Sequence, residues 1–99
     1  MSSYLDLIAP GEILLEEFMK PLNISQNKLS RDINVPVGRI NDIVHGRRSI
    51  TANTALRLGK FFGNTPDFWL GLQMEYDLRR AKREFWPKEK NNVRSLPAA

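Results

Sequence analysis

The chain contains no cysteine, which excludes a disulfide framework and a thiolate metal site. Its one histidine, His45, leaves any zinc site to carboxylates, so no metal and no cofactor are expected. No run of about 18 apolar residues occurs, and a membrane-spanning helix is excluded. The opening MSSYLDLIAPGE has neither a basic start nor a long apolar stretch, so it does not read as a signal peptide. Valine and isoleucine are sparse and no stretch alternates with period two for long, which argues against β-structure. Catalytic signatures are missing as well: there is no G-x-S-x-G, H-E-x-x-H or G-x-x-x-x-G-K-[ST]. Glu16 and Glu17 project about 100° apart on a helix, wrong for a cooperating acid–base pair. The expectation is a binding protein of the cytoplasm, not an enzyme.

What is present suits one small domain. The chain has 99 residues, 41% hydrophobic and 26% charged, enough for a single core. The net charge of +4 is unevenly spread. Residues 1–24 carry a net −3, residues 25–60 a net +5, and residues 61–99 a net +2. The excess of positive charge in mid-chain points to a polyanionic partner.

The pattern is helical almost throughout. Pro10-Gly11 opens a Glu- and Leu-rich segment ending at Pro21, with Leu14, Phe18 and Leu22 in one apolar stripe. Its early glutamates match the positive end of a helix dipole. Ser25 is a capping residue for a second helix, and Asn34 tolerates the left-handed conformation that ends it. The third helix is predicted from Pro36 to His45, with Gly46 as its stop. Thr51 is the predicted cap of a fourth helix closed by Gly63, its inner face marked by Ala55, Leu58, Gly59 and Phe62. Thr65-Pro66 starts a fifth, running to Phe85. That long helix carries two apolar stripes. Trp69, Leu72 and Tyr76 form one; Leu70, Met74, Leu78, Ala81 and Phe85 form the other. A second stripe needs a second partner, here another copy of the chain, or else it wraps the domain itself. The division is an N-terminal arm (1–9), a four-helix core (10–64), a dimerising helix (65–87) and a flexible polar tail (88–99).

Helices two and three, residues 25–45, have the form of a helix-turn-helix. The steep crossing needs a small residue, Ser30, and the turn needs positive φ, supplied by Asn34. Ile40 then drives back into the core, with Leu29 and Ile43 completing the contact. On the third helix Ile40, Ile43 and Val44 face inward. Gly38, Asp42 and His45 lie opposite, with Arg39 and Asn41 on the flanks and Val37 at the N-terminal end. Such a helix fits the DNA major groove. Arg39 matches guanine, Asn41 adenine, Asp42 cytosine N4 and Val37 a thymine methyl, while Gly38 permits close approach. The alternative for Arg39 and Asp42 is a surface ion pair. Gln26 at a helix start, His45, Arg47, Arg48, Ser49 and Thr51 are the candidate phosphate contacts.

The chain from PGEIL (Pro10–Leu14) through RINDIVHGRRSIT (Arg39–Thr51) to TPDFWLGLQMEYDL (Thr65–Leu78) resembles the HigA antitoxins, also called VapI-type. They sit within the lambda-repressor-like (XRE) helix-turn-helix class. The resemblance covers residues 8–80. It departs at Ala9, where the family often has His, and at Asn34, where the turn is often Gly. It implies an all-α, five-helix DNA-binding domain with a long C-terminal dimerising helix. It also implies a homodimer on a palindromic operator of its own operon, and a HigB toxin partner similar to the RelE-type mRNA endonucleases. When bound to DNA the protein would be nucleoid-associated. Glu12, Glu16 and Glu17 are then the candidate toxin-facing residues, with dipole matching as the alternative. A stand-alone repressor of the same fold, without a toxin, is the competing function.

Overall fold

The computed structural model describes residues 8–97. The N-terminal arm therefore lies outside the described residues except for Ile8 and Ala9. Among the described residues there are helices and no strands. Helix α1 (Pro10–Ile13) continues without a break into a π-helical stretch, Leu14–Met19. Next come α2 (Gln26–Ile33), α3 (Val37–Val44), α4 (Ala52–Phe62) and the long α5 (Pro66–Glu84).

The π stretch corrects the first stripe. Lys20 N–H donates to the Leu15 carbonyl at 2.9 Å and Ile24 N–H to the Met19 carbonyl at 2.8 Å, both spanning five residues. The wider turn sets Met19, not Leu22, beneath Leu14: Met19 is buried and Leu22 is 60% exposed. Phe18 is half-buried and packs edge-on against Phe62 with ring centroids 5.2 Å apart.

Capping residues set the boundaries. Ser25 Oγ accepts from Lys28 N–H at 3.0 Å, and Thr65 Oγ1 from Phe68 N–H at 3.1 Å. Thr51 occupies the cap position of α4, but its hydroxyl makes no capping bond. Pro36 sits just before α3 at φ −62° and ψ 144°, outside the helix instead of in its first turn. The residue that must precede a helix in extended backbone is here the proline itself. Asn34 is left-handed at φ 57°, and Arg57 Nη1 donates to the Ile33 and Asn34 carbonyls at 2.8 and 3.3 Å. That guanidinium satisfies carbonyls at the end of α2 and braces the non-glycine turn.

The core joins Leu14, Leu29, Ile40, Ile43, Leu58 and Trp69, each at most 1% exposed. Burying each such side chain contributes about 1.5–3 kcal/mol. Trp69 also donates from Nε1 to Asn64 Oδ1 at 2.8 Å, so its polar edge is satisfied inside the aromatic cluster. Gly11 lies where α1 meets the end of α3: a Cβ there would stand 1.7 Å from the Ile43 carbonyl oxygen. Only glycine permits that approach.

Helix α5 ends at Glu84, with Phe85 as its cap. Where the sequence suggested a structureless tail after Pro87, the chain forms a further helical turn, α6 (Trp86–Glu89), then a 3-10 turn at Lys90–Asn92. Pro87 is in the first turn of α6, where its missing N–H costs no hydrogen bond. Residues 93–97 lack regular structure beyond the bend at Val93 and are exposed.

Candidate nucleic-acid interface

The helix-turn-helix packs as its spacing predicted. Ser30 is 6% exposed at the crossing, and its hydroxyl donates to the Asn27 carbonyl at 2.9 Å. Ile40 and Ile43 anchor α3 in the core, so their burial decides which residues face outward. Val37, Gly38 and His45 are exposed; Arg39, Asn41 and Asp42 are half-buried.

A chain of hydrogen bonds runs across this surface. Asn41 Nδ2 donates to Gln26 Oε1 at 3.2 Å, joining α3 to the start of α2. Asn41 Oδ1 accepts from Arg47 Nη2 at 2.9 Å, and Arg47 Nε donates to Asp42 Oδ1 at 3.2 Å. Asp42 thus pairs with Arg47, not with Arg39 three residues away. Arg39 Nε is buried and has no hydrogen-bond partner among the described residues. His45 Nδ1 lies 2.8 Å from the Asn41 carbonyl. A carbonyl only accepts, so Nδ1 is the donor and Nε2 points to the surroundings.

The loop after α3 is held from an element the sequence did not connect with it. Gln73 on α5 is 8% exposed, and its Oε1 accepts from the Ile50 N–H at 2.8 Å. Its Nε2 donates to Asp77 Oδ1 at 2.9 Å. Gly46, Arg47, Arg48 and Ser49 then share one polar cleft of about 200 Å³ with Tyr76 and Arg80 of α5. Arg80 stands over the Tyr76 ring at 5.6 Å and pairs with Glu84 at 3.2 Å, and Glu84 holds its guanidinium pKa above the ordinary value. Sequence reasoning missed Gln73, Tyr76 and Arg80. In the sequence Tyr76 reads only as part of an apolar stripe, and the signal for the other two is a lone glutamine and one cluster of arginines on that helix.

The remaining candidates lie elsewhere. Glu12, Glu16 and Glu17 are exposed on α1 and its π extension. On α5, Met74 is 67% and Leu78 52% exposed, and Phe85 beyond its end is 57% exposed, while Leu70 and Ala81 are half-buried. No group of three or more potential metal ligands occurs among the described residues. Nor is any helix there long and apolar enough to cross a membrane.

Comparison with known proteins identifies the family. The helix-turn-helix family (HTH_3) matches residues 15–69. Virulence-associated protein I of Dichelobacter nodosus is 47% identical over 77 residues, 78% of this chain and 71% of that protein. Pseudomonas aeruginosa antitoxin HigA, solved with the higBA promoter, superposes with TM-score 0.87 at 37% identity, covering 92% of this chain and 99% of that one. Antitoxin GraA in complex with its operator superposes with TM-score 0.86 at 40% identity, covering 92% of each chain. With the family domain spanning more than half of its length and a relative sharing nearly half of the aligned residues, the chain belongs to the XRE-type helix-turn-helix family, beside VapI and the HigA antitoxins.

Proposed function

We propose that this chain is a homodimeric antitoxin that binds the operator of its own operon, represses it, and neutralises a HigB-type toxin. The observation that carries the reading is the outward surface of α3. It is rigidly tied to α2 and to the following loop, on a fold that in GraA is bound to its operator.

Roles follow from the geometry. Val37, Gly38, Arg39, Asn41 and Asp42 meet base edges in the major groove. Asn41 has both ends of its amide engaged, so pairing with adenine exchanges Gln26 and Arg47 for the base. Asp42 keeps Oδ2 to accept from cytosine. Gln26 turns Oε1 toward Asn41, which leaves Nε2 to donate to a phosphate at the start of α2. Arg48, Ser49 and Thr51 are exposed and face the backbone, and Arg47 joins them once released from Asp42. His45 donates to a phosphate through Nε2 only as the imidazolium, since Nδ1 is committed to Asn41. The role is one of binding, not catalysis.

The seam of exposed Met74, Leu78 and Phe85 with half-buried Leu70 and Ala81 pairs two copies, which would set two recognition helices on half-sites about one helical turn apart. Glu12, Glu16 and Glu17 belong to the toxin-facing side.

Two measurements test the reading. Footprinting on DNA upstream of the gene should protect two half-sites; no protection of that DNA sinks the repressor role. Co-expression with the neighbouring reading frame should yield a stable complex and rescue growth. DNA protection without rescue would leave the stand-alone repressor.

A further inference from the structure

A groove of about 350 Å³ opens between the first helix and α5. Ile13, Leu72 and the Tyr76 ring are among the apolar residues lining it, and Glu12, Glu17 and Glu75 are among its acidic ones. Glu16, also in the lining, is neutralised by Lys20 at 2.9 Å, and Glu75 by Arg79 at 2.9 Å. Glu12 and Glu17 form no ion pair among the described residues. The groove therefore offers apolar area beside uncompensated negative charge.

That combination selects its occupant. DNA is repelled by the carboxylates. A second copy seated in the same groove would set glutamate against glutamate, which costs binding energy. The N-terminal residues 1–7, MSSYLDL, supply apolar side chains but no Lys or Arg. A segment that satisfies both features presents leucine-like residues to the apolar lining and Lys or Arg to Glu12 and Glu17. We infer that this groove is the docking surface for a basic amphipathic segment of a protein partner; the inference rests on the antitoxin reading, which requires such a partner. Tyr76 lines this groove and also the polar cleft of Arg47, Arg48 and Arg80. A docked partner thus lies one side chain away from the DNA-facing loop.

The test uses the full chain, a synthetic amphipathic helix of leucine and lysine, and the same peptide with glutamate for lysine. Binding is read by anisotropy and by amide resonances, with operator binding measured on the same samples. The lysine peptide should bind about tenfold more tightly than the glutamate peptide, a difference of about 1.4 kcal/mol. It should shift the resonances of Ile13, Leu72 and Tyr76. The Glu12→Lys/Glu17→Lys variant should lose about tenfold in peptide affinity, and Glu12→Gln/Glu17→Gln a smaller amount, with no loss of operator affinity in either. Equal binding of the two peptides, or shifts centred away from the groove, overturns the inference. So does a gain of about tenfold on replacing Leu5 and Leu7 by serine, which would make the chain's own N-terminus the occupant. Loss of operator binding with peptide binding intact would fail the repressor reading and leave the groove assignment standing.

Discussion

Asn41 on α3 donates its side-chain amide to Gln26 on α2, 3.2 Å away, and so fixes which end of Gln26 faces outward. One contact thereby links a residue proposed to read a base to one proposed to hold a phosphate. If that link works, Gln26→Ala and Asn41→Ala each weaken operator binding, and the double variant loses less than the sum. The coupling should be about 0.5–3 kcal/mol in a double-mutant cycle read by anisotropy. Strict additivity would show that the two side chains act independently.

Arginines at the interface should separate into two kinds. Arg39→Ala is expected to cost about 1–3 kcal/mol on the operator and to relax the choice at one base pair. Arg47→Ala, Arg48→Ala and Arg80→Ala should weaken operator and random duplexes alike. Each lost phosphate contact reduces the slope of log affinity against log salt by about 0.9. Salt titrations on both duplexes distinguish the two patterns, and equal losses for all four variants would dissolve the division.

Two glycines should respond in opposite senses. Gly11→Ala drives a methyl into the Ile43 carbonyl, so unfolding in urea should show a loss of about 1–3 kcal/mol or more. A Cβ on Gly38 meets nothing within 4 Å inside the protein. Gly38→Ala should therefore stabilise the fold by about 0.5–1 kcal/mol, and operator affinity should fall if that open space is where the proposed docking brings DNA. A Gly38→Ala protein with full operator affinity would remove that residue from the interface.

The exposed seam on α5 can be broken without touching the core. Met74→Asp/Leu78→Asp should leave the helical spectrum intact and produce a monomer in sedimentation equilibrium. Operator binding would fall to that of a single half-site. A variant that remains dimeric would place the interface elsewhere.

Much of this was legible in the residues because it depends on local rules. Ser25, Thr65 and Gly63 mark helix ends through their own backbone and side-chain chemistry. The spacing Ser30–Asn34–Ile40 encodes the helix-turn-helix because each position answers a steric demand of the crossing. The misreadings have physical causes too. Leu22 was expected in the apolar stripe on a period of 3.6, but the π turn widens that period and substitutes Met19. The alternative of an Arg39–Asp42 ion pair, which rests on sequence distance, gives way because the turn at Gly46 brings Arg47 back onto α3.

The sequence by itself determined the all-α class, the helix-turn-helix and the outward residues of α3, since periodicity and capping act over a few residues. Tertiary structure alone decided what those residues touch. It bound Asn41 to Gln26, tied Ile50 to Gln73 across 23 positions, and set Arg80 beside the loop of Arg47 and Arg48. Such contacts depend on how α5 packs over the core, and no local pattern in the chain encodes the distance between two side chains on different helices.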